Sequence, residues 1–558
     1  MAQTDSQPVL LRLLPSLTDF AFLLPLAFLF GKAGGTRSLL ADGDTGWHVR
    51  TGEWILRHGH VPQQDIFSFT RPNAPWFAWE WLWDVIFGFA YQKGGMALVV
   101  LLNSILIGAL VALLYRFLCR YATPVIALMV ACTAAMASAV HWLARPHLVS
   151  LLFIVIFLWM LERVEEGKAR LLWALPPLTV LWTNLHGGFF VGVILVGAFA
   201  LGQAVAGVLT TDSAARICAW RRSGRYLLCA AACMTASLVN PYFYKLHVHI
   251  AEYLTDSFAK EHILEFFSPN FSNPTAIFFE ALLFGGACAA VWYASRGNYR
   301  VLILTAVWGH AALLSVRNVP LCAIIVSPYV AGALDYGLRR VPDLKVAAWL
   351  TRTAGKLVRK LDDIGRMEAV GRWHLISAAT TAIIGVLVFA PAPPRSFLPE
   401  YDSKSYPEAA LKAQNFGPDS RIFATDEWGD YLIYRLWERG TKVFIDGRSD
   451  FYGREFEEKF LDTFNVRWGW QETLNRYGVN TILLPAAAPM TGALKESSRW
   501  RVVYDDGTTL VFRPVPAPAA ASPQVSAAPG GGRSRDREIT KTEARDRTIT
   551  AFKIKPTI

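Results

Sequence analysis

Long apolar runs separated by short polar connections fill the first 390 positions of the chain; beyond them the sequence reads as an ordinary polar one. Crossing ~30 Å of hydrocarbon takes about 17–25 residues. Runs of that kind fall at 16–33, 96–118, 122–140, 147–163, 170–184, 187–210, 225–241, 274–295, 300–316, 318–338 and 374–391. They predict about eleven transmembrane helices, several joined by very short hairpins. No small-residue cleavage site follows the first run, so it reads as a retained helix rather than a signal peptide.

After Pro391, Pro393 and Pro394 the pattern changes. Strand-like runs stand at Arg421–Thr425, Lys442–Ile445, Thr481–Leu484, Arg501–Tyr504 and Thr509–Phe512, with helical spacing over Tyr431–Trp437 and Glu455–Phe464. A small α/β domain is expected there. From 514 on, Pro, Ala, Ser and Gly followed by mixed charge read as a disordered tail. The expected organisation is a transmembrane unit over 1–391 with a large first loop at 34–95, a soluble domain over 392–513, and the tail 514–558.

Composition agrees with a polytopic α-helical membrane protein. The 558 residues are 53% hydrophobic and 18% charged, with a mean hydropathy of +0.30, whereas soluble domains carry about 25% charged residues. An ordinary cytosolic enzyme is excluded. The net charge of +11 does not point to nucleic acid, because the cations lie in clusters between apolar runs. Arg116 and Arg120; Arg163, Lys168 and Arg170; Arg216, Arg221, Arg222 and Arg225; Arg296 and Arg300; and the series from Arg339 to Arg372 occupy alternate connections. The positive-inside rule then sets the N-terminus in the cytoplasm of a bacterial-type inner membrane. Segments 34–95, 141–147, 185–186, 242–273 and the C-terminal domain face outward, toward the periplasm. The seven cysteines all fall in or beside apolar segments and form no CxxC pair, so neither a disulfide framework nor a zinc site is implied.

Unusual chemistry collects in the outward segments. The first loop opens with Asp42-Gly43-Asp44, followed by His48 and Arg50. Two carboxylates flanking a glycine can act as a general base, hold a divalent cation such as magnesium or manganese, or simply form an Asx-type turn. Apolar positions at Trp47, Val49, Trp54, Ile55 and Val61 predict an amphipathic helix over 46–58 lying on the membrane surface. Trp76, Trp79, Trp81 and Trp83 read as an aromatic interface belt, and Asp65, Glu80 and Asp84 as acids that solvate the loop. Three outward turns carry cations or imidazoles: Arg145-Pro146-His147, Asn184-Leu185-His186-Gly187-Gly188 and Arg317-Asn318. With His48 and Arg50 they are candidate contacts for a lipid phosphate, the alternative being snorkelling or helix capping.

The first loop, with Asp44, a helix, then Gly59 and Pro62, resembles the first periplasmic loop of the GT-C superfamily of integral-membrane glycosyltransferases, notably the protein mannosyltransferase and aminoarabinose transferase branches. That resemblance implies a polyprenyl-phosphate-linked sugar donor and a catalytic Asp44, with Asp42 as the second acid because Thr45 follows Asp44. Asp426-Glu427-Trp428-Gly429-Asp430-Tyr431, followed by Lys442-Val443-Phe444-Ile445-Asp446-Gly447-Arg448, is similar to the WWDYG region of oligosaccharyltransferases. It implies acceptor contacts at Trp428, Asp430 and Tyr431, and a role for Glu265, in a later outward loop, in assisting the metal or the acceptor; Glu427 in place of the first Trp and the extra Gly429 depart from the motif.

The resulting expectation is inverting transfer of a sugar to a lipid, glycan or protein acceptor, with Asp44 as base. Oligosaccharide transfer to protein is the nearest rival. A non-enzymatic lipid or solute transporter is disfavoured by the absence of a clear internal repeat and by acids concentrated in loops rather than at mid-membrane.

Overall fold

The computed structural model describes residues 9–516. Every apolar run is helical. Seven helices among the described residues are long and apolar enough to cross a membrane. Six of them are α1 (Leu17–Gly31), α3 (Trp81–Leu118), α4 (Pro124–Ser138), α5 (His147–Glu165), α7 (Phe189–Leu209) and α10 (Ala276–Ala294), and the seventh is α12 (Val319–Arg340). The protein is a multi-pass membrane protein. The four remaining runs give α6 (Leu175–Leu185), α8 (Ser213–Ala236), α11 (Tyr299–Leu314) and α14 (Leu375–Val388). Three of these are shorter than 18 residues, and α8 carries Arg216, Arg221, Arg222 and Arg225.

The first loop forms α2 (Asp44–His58), closed by Gly59 in the left-handed conformation at φ 73°, as its sequence led us to expect. It does not lie on a surface. Most of α2 is buried between α3 and a helix of the C-terminal domain, α15 (Asp426–Leu436). Small residues make this possible. A Cβ on Gly52 would stand 1.7 Å from the Asp84 carbonyl oxygen, and one on Gly46 would stand 2.7 Å from Tyr434 Cβ. The polar positions that looked solvent-facing are paired inside: His48 with Asp84, Arg50 with Glu53.

The tryptophans depart from a belt for the same reason. Trp76 and Trp83 are buried, and Trp81 Nε1 donates to Asn184 Oδ1 at 2.7 Å.

The C-terminal domain holds a five-stranded sheet ordered β2-β1-β3-β5-β4. Its strands are β1 (Arg421–Phe423), β2 (Lys442–Val443), β3 (Thr481–Pro485), β4 (Trp500–Asp505) and β5 (Thr509–Pro514). β1 runs parallel to both neighbours, and β5 antiparallel to both of its own. A second helix, α16 (Arg454–Phe464), buries Phe456 and Phe460. The open edge of β2 is covered by the first loop: Val443 N–H donates to Phe67 O at 3.1 Å and Phe69 N–H to Val443 O at 3.0 Å. The loop and the domain thereby share one sheet edge. The tail expected from 514 falls, from 517 on, outside the described residues.

Candidate active site

The start of α2 gathers the first carboxylates. Asp42 Oδ1 accepts the Asp44 backbone N–H at 2.8 Å, so the Asx-type cap exists, while its Oδ2 pairs with Arg145 Nη1 at 2.8 Å. Asp44 Oδ2 lies 2.6 Å from Arg145 Nη2, and its Oδ1 accepts Trp47 Nε1 at 3.2 Å. Glu265 Oε1 reaches Arg145 Nη1 at 3.0 Å. Gly43 has an ordinary helical φ of −65°; what demands a glycine there is α15, since a Cβ would meet the Glu427 carbonyl oxygen at 2.6 Å.

The C-terminal domain adds a further carboxylate. A Cβ built on Gly447 would stand 2.6 Å from both Asp44 Oδ1 and Asp430 Oδ2, so the two carboxyl groups converge on that glycine. Gly447 N–H donates to Asp430 Oδ1 at 2.9 Å. Gly447 is exposed whereas Asp44 and Asp430 are buried, which makes it the rim of the site. Behind them Tyr401 OH donates to Gly43 O at 3.3 Å, and Tyr406 OH lies 3.1 Å from Glu427 Oε1.

Burial and crowding set the protonation states. Burial raises Asp44 to about 7, with Arg145 pulling it down and Asp42 and Glu265 pushing it up. Asp430 is raised well above the carboxylate range, first by burial and then by Asp44. Burial also raises Glu427, to about 7. Glu265 behaves oppositely: burial pushes it up, but Arg145 and its other cationic neighbours outweigh that and hold it low. One cation thus serves several buried acids, and where burial outweighs its pull they are driven toward the neutral form.

A second layer lies alongside. His48 Nδ1 is 2.6 Å from Asp84 Oδ1, and Glu80 sits between His48 Nε2 at 3.7 Å and His186 Nε2 at 3.5 Å. His186 Nδ1 accepts from the Ser150 hydroxyl at 2.7 Å and the Gly188 N–H at 3.0 Å, which leaves the proton on Nε2, toward Glu80. Burial lowers His186 to about 3 and raises Glu80 to about 8, so the pair is neutral at pH 7. His48 is lowered by burial and then by Arg145 and His186. The three acids expected to solvate the loop, Asp65, Glu80 and Asp84, are all buried. Arg317 stacks over Phe266 at 4.7 Å and joins no ion pair among the described residues.

Other residues singled out in the sequence face elsewhere. Arg50 Nη1 pairs with Glu53 at 2.6 Å and its Nη2 donates to Tyr434 O at 2.6 Å, clamping α2 to α15. It borders a cavity of about 570 Å3 together with Tyr91, Lys412, Tyr434, Arg435 and Arg439. His147 Nε2 donates to His141 O at 2.5 Å. Trp428 Nε1 donates to Ser405 O at 2.8 Å and Tyr431 OH bonds Glu408, so both are occupied inside the domain.

Sequence reasoning did not single out the Asp446–Arg448 pair as a joint. Arg448 Nε and Nη2 hold Asp446 at 2.7 Å each, and Nη2 also bonds Asp65 Oδ1 of the first loop at 2.8 Å. The guanidinium stacks on Trp76 at 4.5 Å. This dry ion triad fastens the loop to the domain and fixes Gly447 between its two members. The local Asp-Gly-Arg was visible, but its partner lies 383 positions away.

Asp42 and Asp44 were expected to be able to hold a divalent cation. Among the described residues no group of three His, Cys, Asp or Glu is arranged to hold a metal ion. Both aspartates, together with Glu265, close on Arg145 instead, and the guanidinium stands where their oxygens converge. The residues present do not fit a cation.

By sequence the chain matches no protein-family model and no curated protein. By structure it resembles the oligosaccharyltransferase AglB from Archaeoglobus fulgidus, solved in complex with an inhibitory peptide and a dolichol-phosphate. That match has a TM-score of 0.51 at 11% identity, covering 84% of this chain and 69% of the other. An Archaeoglobus fulgidus oligosaccharyltransferase in complex with Zn and sulfate gives 0.47 at 12% identity, covering 89% and 73%. The chain shares the fold of the AglB oligosaccharyltransferase.

Proposed function

We propose that the protein is a GT-C glycosyltransferase that moves a sugar from a polyprenyl-phosphate carrier to an acceptor hydroxyl on a lipid, glycan or protein. It works at the outer face of a bacterial-type inner membrane, with the C-terminal domain periplasmic. The single observation that carries this reading is Asp44: a carboxylate at the head of a buried helix, held by Arg145 and opening to solvent beside Gly447. In this reading the acceptor oxygen attacks the anomeric carbon as the carbon–oxygen bond to the carrier phosphate breaks, inverting that carbon. The acceptor proton passes to Asp44, and polyprenyl phosphate leaves with the bonding electron pair. A carboxyl near pH 7 is a better base than an ordinary aspartate and is still ionised in a useful fraction at neutral pH.

Of the two cations expected beside the carrier phosphate, Arg145 and Arg317, we favour Arg317. Arg145 already serves three carboxylates, while Arg317 stands free of ion pairs among the described residues and close enough to act on Glu80, His186 and Glu265. A guanidinium there offsets charge developing on the leaving phosphate.

Membranes carrying the protein, supplied with radiolabelled undecaprenyl-phosphate sugars, test this reading. Product should form with wild type, and Asp44→Asn should lower the rate by about 10²–10⁴-fold, the usual contribution of a general base. Full activity in Asp44→Asn removes Asp44 as the base. A second reading, transfer of a lipid-linked glycan to protein, is favoured by the fold likeness to an oligosaccharyltransferase; label appearing on added peptide, and on no lipid or free glycan, would select it.

A further inference from the structure

We infer that Arg145 is a resident cation: its guanidinium permanently fills the position that a divalent metal would need, and sugar transfer by this chain proceeds without one. The inference rests on the carboxylates of the proposed active site, but its central test does not need turnover.

Three carboxylate oxygens from two segments converge on one side chain. Asp42 Oδ2 at 2.8 Å and Glu265 Oε1 at 3.0 Å share Nη1, and Asp44 Oδ2 at 2.6 Å takes Nη2. Asp42 and Asp44 come from the head of α2, Arg145 from the turn before α5, and Glu265 from the short 3-10 turn before α10. Three anionic oxygens gathered around one position, here spread over Nη1 and Nη2, are the type of donor that magnesium or manganese selects. That position is taken by a cation that is covalently tethered and keeps its charge at any physiological pH.

With the guanidinium in place, no other side chain nearby among the described residues is free to offer a metal a ligand. His147, two residues along, turns its Nε2 to the His141 carbonyl; His186 points Nε2 at Glu80 and has its Nδ1 occupied. An incoming cation would also strand Arg145, whose side chain is 23% exposed and whose other neighbours in the site are neutral or cationic. The planar fork does what a metal would do for orientation: it fixes Asp44 Oδ2 so that Oδ1 faces Gly447 and the rim.

The test is manganese binding by the detergent-solubilised full chain, read from the electron paramagnetic resonance signal of free manganese, with wild type, Arg145→Ala and Arg145→Lys. Wild type should bind no stoichiometric manganese. Arg145→Ala opens a three-carboxylate site and should bind one ion per chain, and the Asp42→Asn, Arg145→Ala double variant should lose it. Arg145→Lys keeps the charge and should bind none. One manganese per wild-type chain, lost in Asp44→Asn, overturns the inference, and so does a folded Arg145→Ala that binds none. Should Arg145→Ala fail to fold, the wild-type and Arg145→Lys titrations decide alone. In the transfer assay, chelation by EDTA should change the wild-type rate less than twofold. A rate abolished by EDTA and restored by manganese would refute the inference while leaving the transferase reading intact. Absence of any transfer would refute that reading and leave the binding result standing.

Discussion

Replacing Gly447 with alanine adds one methyl group at the rim of the site, and its consequences can be worked from two distances. The new Cβ would stand 2.6 Å from Asp44 Oδ1 and 2.6 Å from Asp430 Oδ2, where real Cβ atoms keep at least 3.0 Å. Each carboxyl group must therefore retreat by roughly half an ångström, and Asp44 can do so only by straining its 2.6 Å pair with Arg145 or its 3.2 Å bond from Trp47. A misplacement approaching 1 Å costs about 10²-fold in rate. We expect turnover to fall by about 10–100-fold, or roughly 1.4–2.7 kcal/mol of transition-state stabilisation. Stability should fall by only about 1 kcal/mol, the low end of overpacking, because Gly447 is exposed and the clash involves side-chain ends. The measurements are kcat and donor KM in the undecaprenyl-phosphate sugar assay, with thermal unfolding in detergent as control. A drop in kcat at unchanged unfolding temperature is expected. Wild-type kcat in a folded Gly447→Ala would refute the placement of Asp44 and Asp430 around this glycine. Gly429→Ala gives the contrast: its Cβ would stand 1.9 Å from the Ile445 backbone oxygen, which cannot step aside, so that variant should lose folded protein rather than kcat alone.

Three further outcomes follow from other parts of the fold. Gly52→Ala drives a Cβ to within 1.7 Å of the Asp84 carbonyl oxygen; α2 and α3 must part, breaking the 2.6 Å His48–Asp84 bond. A loss of about 3 kcal/mol or more, read as a lower unfolding temperature with lost activity, is expected. Arg448→Met leaves Asp65 and Asp446 buried without a cation and should cost about 3–5 kcal/mol, while Asp65→Asn in the same chain should recover part of it. Thermal unfolding of the single and double variants tests both. Glu80 has a folded-state value of about 8, above its unfolded one, because burial opposes its charge. Its contribution to stability is full at pH values below the unfolded value, about 4.3, and declines as pH rises until about 8, at up to 1.4 kcal/mol per pH unit. Glu80→Gln, which mimics the protonated acid, should be folded at pH 7 and should flatten that part of the stability profile; an unchanged slope would contradict a neutral Glu80.

Much of the scaffold was legible because it rests on local rules. Each apolar run became a helix, the helix expected over 46–58 is present as α2 and starts two residues earlier, at Asp44, and the five strands lie on their apolar, β-branched runs. The surroundings of α2 were not legible. A helix with apolar residues on one side and His48, Arg50 and Glu53 on another has the pattern of an interfacial helix, and nothing local says that Asp84 and Glu438 wait to receive those charges. The glycines misled in the same way. Gly43 and Gly429 looked like turn residues or an insertion in a motif, and both exist because another backbone passes too close for a side chain.

A membrane-embedded helical scaffold and a soluble α/β domain after it were readable from the sequence alone, since segment length and periodicity act over a few residues at a time, and Asp44 was nominated by the resemblance of its loop to a known family. Which acids are charged, which cation they share and which groups Asp44 faces were decided only by the tertiary structure. Arg145, Glu265 and the Asp430–Gly447 region come from three distant segments. Desolvation and Coulomb interaction depend on what is packed within a few ångströms, and the order of residues along the chain does not carry that information.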